Sequence, residues 1–408
     1  MKRTVEILAP AGDMICLQAA LNAGADAVYF GLDDFNMRQM AVNAFNFENL
    51  PEVSRRCRER GVKLYLTLNT VVFEDELARV AEFAEQAKPF VDAVIAADWG
   101  VIGICRKAGI PFHVSTQMSC ANSAAAEFLK SQGASRVVLA RECTFEELGR
   151  IARKTDIELE VFVHGAVCVA VSGRCFLSHH AYGQSSNRGE CFQPCRREYH
   201  IREVREGDDA DAEFIVGRDY VLSAKDLCSL PFLDKIIAAG ACSLKIEGRA
   251  RNADYVKAVV EAYREARDAV LDGTFSEELA QRLVVKCEQV YHRPFAEGLF
   301  HGRPGADQFT QTDENAALEK KKHLGIVANY YAKAGIAHVQ IQDNGVKPGD
   351  RLSFQGGETG VVYVTADEIR QDERILAVAG KGEWFTVKCP ERVRTGDKVF
   401  LVVKSENV

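Results

Sequence analysis

The sequence predicts an α/β fold: a (β/α)8 TIM-like barrel with a cysteine-containing insertion, plus a small C-terminal antiparallel β-barrel domain. Three observations predict it. Short apolar or β-branched runs alternate with longer stretches of helical spacing through residues 1–250, the pattern of a parallel sheet with covering helices. Four cysteines crowd into one long gap in that alternation. Beyond residue 320 the texture changes to short alternating strands punctuated by Gly-Asp turns.

In chain order the runs fall at 5–8, 27–30, 63–68, 93–96, 112–115, 136–139, 159–163 and 243–246, which makes eight candidate strands. Several intervening helices end in a glycine just before the next run, as at Gly24, Gly133 and Gly240, where a helix C-terminus favours a residue free to turn left-handed. An open doubly wound sheet shares this local pattern; the barrel is the reading adopted. Chemistry in such a barrel belongs at the carboxyl ends of the strands. Those positions read Asn69, Asp98, Gln117, Glu142, His164 and Glu247, each also suited to capping a helix.

The expected organisation is a barrel over 1–300 with its insertion at 165–241, a linker over 301–322, and a second domain over 323–408. Helices are expected at 255–272 and 277–290. Two Gly-Asp turns recur in the second domain, at Gly349 and Gly396.

With 47% hydrophobic residues in 408, the chain can bury a large core, and a net charge of −7 argues against a surface coated in cations for nucleic acid. A local basic patch remains compatible with that balance. Candidates are Arg196, Arg197, Arg202 and Arg205 after the cysteines, and the lysines at 320–322. No apolar run is long enough to span a membrane and the amino terminus lacks the pattern of a signal peptide, so a cytoplasmic location without a membrane partner is expected.

In a reducing compartment, Cys168, Cys175, Cys191 and Cys195 read as a metal or iron-sulphur site rather than as disulfides. Zinc knuckles favour Cys-x2-Cys pairs, and the chain has none. Seven residues of helix would separate Cys168 from Cys175 by about 10.5 Å, so the chain must bend, and Gly173 permits the bend. Pro194 and Gly189 loosen the second half in the same way. A 4Fe-4S cluster is the reading these thiols favour, with zinc or free thiols as alternatives. Cys228 is a reserve ligand, although its context reads as the start of a helix.

The stretch 160–168, with Ser172, Cys175 and Ser178 following, resembles the signature of the collagenase-like peptidase (U32-type) family. Agreement extends to 8–12, 24–29, 113–117 with Asn122, Arg141-Glu142 and 244–249, and covers residues 1 to about 300. The resemblance implies a 4Fe-4S cluster held by Cys168, Cys175, Cys191 and Cys195, and oxygen-independent hydroxylation. Members of the family act on tRNA, ribosomal RNA and ubiquinone. The full cysteine set and the C-terminal extension look like the tRNA type, whose product is 5-hydroxyuridine at the wobble position with prephenate as co-substrate. Prephenate carries two carboxylates, for which Arg38 and Arg249 are the candidate guanidinium forks. Glu142 and His164 are the candidate acid and base, and Gln117 and Asn122 the candidate hydrogen-bonding groups for substrate. Lys245 and Glu247 are expected to pair with each other. The alternatives are hydroxylation of another RNA or of a small aromatic substrate, an iron-sulphur or RNA-binding accessory protein without its own catalysis, and a peptidase: neither a Ser-His-Asp elbow nor a His-Glu-x-x-His helix is present, but His164 near Cys168 could be drawn as a thiol–imidazole pair.

Overall fold

The computed structural model of the chain describes residues 5–38, 45–199, 222–302, 308–310 and 315–405. All eight expected runs form strands: β1 (Glu6–Pro10), β2 (Ala27–Phe30), β3 (Lys63–Leu68), β4 (Ala93–Ala96), β5 (Phe112–Val114), β6 (Arg136–Val138), β7 (Glu158–Ala166) and, after an extra strand β8 (Asp226–Cys228), β9 (Ser243–Ile246). Each barrel strand pairs in parallel with the next, and β9 pairs with both β7 and β1, so the sheet closes. Closure removes the open doubly wound alternative. Strands such as β2 and β4 are buried at every position, as expected where helices cover one face and the barrel interior the other.

The helix ends follow the sequence signals. Helix Met14–Ala23 starts where the Asp13 carboxylate accepts the Cys16 N–H at 2.7 Å and stops at Gly24, whose φ of 81° is the left-handed conformation the cap requires. Asp98 has the same use: it caps helix Trp99–Ala108 by accepting the Gly100 N–H.

Residues before Cys228 form a strand, not the expected helix start. With nine residues, β7 runs on past its barrel neighbours and leaves backbone groups to satisfy. Strand β8 takes them, pairing antiparallel through His164–Cys228 and Ala166–Asp226, and the short β10 (Phe295–Ala296) pairs with β8 in turn.

Inside the barrel, Leu8, Ala27, Tyr29, Tyr65, Ala93 and Ile95 form an apolar layer. Near it, buried Glu160 accepts from Lys245 at 2.9 Å and from Arg136 at 3.2 Å. The expected Lys245–Glu247 pair does not form. Lys245 lies opposite Phe162 in register, which brings its chain diagonally onto Glu160, whereas Glu247 sits past the strand end and meets Arg38.

The C-terminal region is an eight-stranded antiparallel sheet on its own core, which includes Leu324, Val339, Leu352, Phe354 and Phe385. Its strands are β11 (Glu319–Tyr331), β12 (Ile336–Ile341), β13 (Arg351–Gly356), β14 (Gly360–Thr365), β15 (Ile369–Gln371), β16 (Arg374–Leu376), β17 (Trp384–Lys388) and β18 (Lys398–Lys404). Strand β11 begins at Glu319, inside the stretch read as linker. Both Gly-Asp turns are built alike. Gly349 and Gly396 adopt φ of 90° and 89°, and Asp350 and Asp397 each accept a backbone N–H from three residues before.

The sheet is fastened to the barrel at Asp254, in the first turn of helix Ala253–Asp272. Its buried carboxylate accepts from the Tyr363 hydroxyl at 2.9 Å and the Gln355 amide at 2.7 Å, and pairs with Lys321. Asp254→Ala strands the Lys321 ammonium and two buried donors, and should lower unfolding stability by on the order of 3 kcal/mol in a urea titration.

Candidate active site at the barrel mouth

The strand ends and the cysteine segment enclose a cleft of about 980 Å³, partly open to solvent. Arg38, Arg141, Arg196, Lys245 and Arg249 line it, against Glu247 as the one carboxylate among the lining residues. Such an excess of cations in a partly closed space recognises anions.

Two expected anion ligands lie here. Arg38 bonds Glu247 at 2.7 Å. Burial pushes the Glu247 carboxyl up, but the Arg38 guanidinium, helped by Arg141 and Arg249, outweighs it and holds the group at about 2. Arg249 is buried and donates to Asn36 at 3.0 Å and Thr67 at 2.8 Å, and burial brings its guanidinium down to about 10. Gln117 also faces the cleft, on a short 3-10 turn after β5, with its amide oxygen accepting from the Ser115 hydroxyl.

The expected acid and base are elsewhere. Glu142 is exposed: the loop leaving β6 turns it outward and brings Arg141 inward, where the guanidinium stacks 4.1 Å from the Phe162 ring centre. Nor does Glu142 cap the next helix, because Thr144 and Glu147 form that capping box. His164 is buried outside the barrel wall, its Nδ1 3.3 Å from the Tyr263 hydroxyl, with Tyr255 and Phe295 packed around it. Strand alternation alone would have pointed it inward with Phe162. A register irregularity between Phe162 and His164 reverses it. Burial pulls the imidazole down to about 3, so it stays neutral at physiological pH.

Asn122 is exposed and its carboxamide accepts the Ala125 N–H as the cap of helix Ser123–Ser131, which removes it from the substrate group. Cys228 is buried in the core beside helix Ala253–Asp272, outside the cleft, and burial raises its thiol to about 12.

The four clustered cysteines come together. Cys168, Cys191 and Cys195 line the cleft. Burial pushes the Cys195 thiol up, Arg196 opposes the rise, and the nearby Cys168, Cys191 and Cys175 add to it, so the four cysteines share one electrostatic neighbourhood. The expected bend is present: Ser172 and Gly173 adopt φ of 45° and 95°, and Gly189 and Gln193 turn left-handed in the second half. Among the described residues, no three His, Cys, Asp or Glu side chains are gathered closely enough to hold a single metal ion.

The basic patches are differently disposed. Arg196 faces inward and donates to the Val167 and Ala224 carbonyls and the Ser223 hydroxyl, tying the two ends of the insertion together. Arg197 is exposed over the Tyr182 ring. Lys320 and Lys322 are exposed on β11 while Lys321 turns to Asp254, so the run is not one surface. Arg202 and Arg205 lie outside the described residues. Arg141 lines the cleft although the sequence pattern at that strand end points to its neighbour Glu142. No helix among the described residues is long and apolar enough to cross a membrane.

Comparison with known proteins adds three relatives and a family profile. The profile of peptidase family U32 matches residues 12–310. A protein called an uncharacterized protease, from Methanocaldococcus jannaschii, is 39% identical over 98% of both chains. A protein named collagenase, from Porphyromonas gingivalis, is 35% identical over 98% of both. The tRNA hydroxylation protein P1 of Bacillus subtilis is 34% identical over 86% of this chain and 84% of its own.

The buried imidazole generates a pH prediction. Its folded pKa, about 3, lies below the ordinary value of 6.5, so between those values the unfolded chain binds the extra proton. Stability from this group is complete above 6.5 and is lost as the pH falls toward 3. The urea midpoint of the wild type should drop more steeply below neutral pH than that of His164→Phe; the difference between the two curves isolates the histidine from carboxylates that titrate in both.

Proposed function

The chain belongs to peptidase family U32, and from that premise we propose that it is an RNA-modifying enzyme: an oxygen-independent hydroxylase of the wobble uridine of tRNA, carrying a 4Fe-4S cluster on Cys168, Cys175, Cys191 and Cys195 and using prephenate as co-substrate. One observation carries the reading. Cys168, Cys191 and Cys195 line a barrel mouth rich in cations, and Cys175 lies within electrostatic reach of all three. A relative that hydroxylates tRNA by name, similar over most of both chains, supports RNA as the substrate.

The donor set fits a polynuclear cluster better than zinc. A lone zinc ion draws its thiolates to about 2.3 Å from one point. Four cysteines without a Cys-x2-Cys knuckle, set on a bent backbone, suit ligands spread around a larger core. Irregular backbone surrounds them: the Leu177 N–H already points at the Cys175 sulphur at 3.4 Å, the kind of donor that tunes a cluster. When bound, a 4Fe-4S cluster held by all four thiolates would supply electron transfer.

This chain's own residues bind and orient. Arg249, braced by Asn36 and Thr67, and Arg38, braced by Glu247, present guanidinium edges to carboxylates. Gln117 offers an amide to a base edge. Glu247 stays ionised and serves as a brace rather than a proton shuttle, so the protein contributes position and charge.

A thiol peptidase needs an imidazole beside its nucleophile. His164, bonded to Tyr263 and walled by Tyr255 and Phe295, is turned away from the cleft that Cys168 lines.

Mass spectrometry of tRNA nucleosides from cells lacking the gene provides the test. Wild-type protein should restore 5-hydroxyuridine, Cys191→Ser should not, and Arg249→Gln should reduce it by at least about tenfold, as expected for one lost charge-assisted bond. Unchanged nucleosides, together with gelatin hydrolysis that persists in Cys191→Ser, would replace this reading with a peptidase.

A further inference from the structure

Beside the charged mouth lies a second cavity of about 1000 Å³ whose character is opposite. Its walls include Leu148, Val161, Leu227, Leu299 and Phe300. The two cavities share Arg141, Phe162, Val167 and Cys168. Arg141 therefore stands at the boundary between an apolar chamber and a cationic one.

Its guanidinium differs from the others at the mouth. Arg38 is met by Glu247, Arg249 by Asn36 and Thr67, and Arg196 by backbone carbonyls. Arg141 has one face covered by the Phe162 ring, while its buried Nη1 meets no hydrogen-bond acceptor among the described residues. A buried cation without an acceptor is costly, and an anion that reaches the Arg141 guanidinium from the cavity it lines removes that cost. The apolar walls would exclude a hydrated inorganic ion and reward a carbon body. Lys225, also on the wall, adds a second cation.

We propose that this cavity is a binding site for a small carboxylate with a compact apolar body, the carboxylate on Arg141 and the body among Leu148, Val161, Leu299 and Phe300. The site is additional to the thiol quartet and stands whether or not RNA is the substrate. It gives Arg141 a specificity role: acid accepted, neutral isostere refused.

Calorimetric titration of the full chain with phenylacetate and with phenylacetamide tests it. The wild type should bind the acid at least about tenfold more tightly than the amide, as a charge-assisted bond on a desolvated guanidinium requires. Arg141→Gln should bring the acid down to the affinity of the amide, and Leu299→Trp, which fills the chamber from its rim, should weaken both. Equal binding of acid and amide by the wild type, or acid binding unchanged in the two variants, overturns the proposal. The comparison of acid with amide needs no variant, so a misfolded substitution leaves the test intact.

Discussion

Uncompensated positive charge at the barrel mouth is the constraint on which the rest of the site depends. Lower in the barrel the charges are matched: Glu160 is clasped by Lys245 and Arg136, and Arg136 reaches Glu6 and Glu158 as well. At the mouth, Glu247 is the one carboxylate among the described lining residues and faces Arg38, Arg141, Arg196 and Arg249, while Lys245 is already held by Glu160. Buried charge is costly unless paired, so an excess of cations at this end of the fold favours an anionic occupant. Metal binding strips protons from thiols, and four thiolates would bring negative charge to the place where the cations gather.

The fold creates that imbalance by simple geometry. Parallel strands deliver their carboxyl ends to one face, and the chain between β7 and β9 is long enough to lay the cysteine segment across it. Left-handed turns at Gly173 and Gly189 fold the segment back so that residues far apart in sequence share a wall. Arg196 then clamps the base of the insertion through backbone carbonyls, an inward use of a side chain that a charge count would have assigned to solvent.

Much of this was legible in the sequence, and the failures have physical causes. The eight barrel strands follow from runs too apolar to be anything but doubly buried, and the glycine caps from their need for positive φ. Arg38, Arg249, Gln117, Cys168, Cys191 and Cys195 reach the mouth because their distance past a strand end is a backbone property. His164 failed because one register irregularity reverses the direction that alternation implies. Glu142 failed because its loop rotates by one position and presents Arg141 instead. Asn122 took the plain role of a cap, and Lys245 found Glu160 across the barrel instead of Glu247 on its own strand. The Asn122 cap is a local signal, whereas the other three are long-range or loop-level choices that no local pattern encodes.

Iron and acid-labile sulphide per chain after anaerobic purification decide whether the four clustered thiols hold a cluster. Four of each are expected in the wild type and in Cys228→Ser, whose thiol is buried in the core, with loss of the visible absorbance in the serine variants of Cys168, Cys175, Cys191 and Cys195. A wild-type protein holding stoichiometric zinc, or one whose iron content is indifferent to those four substitutions, would contradict it.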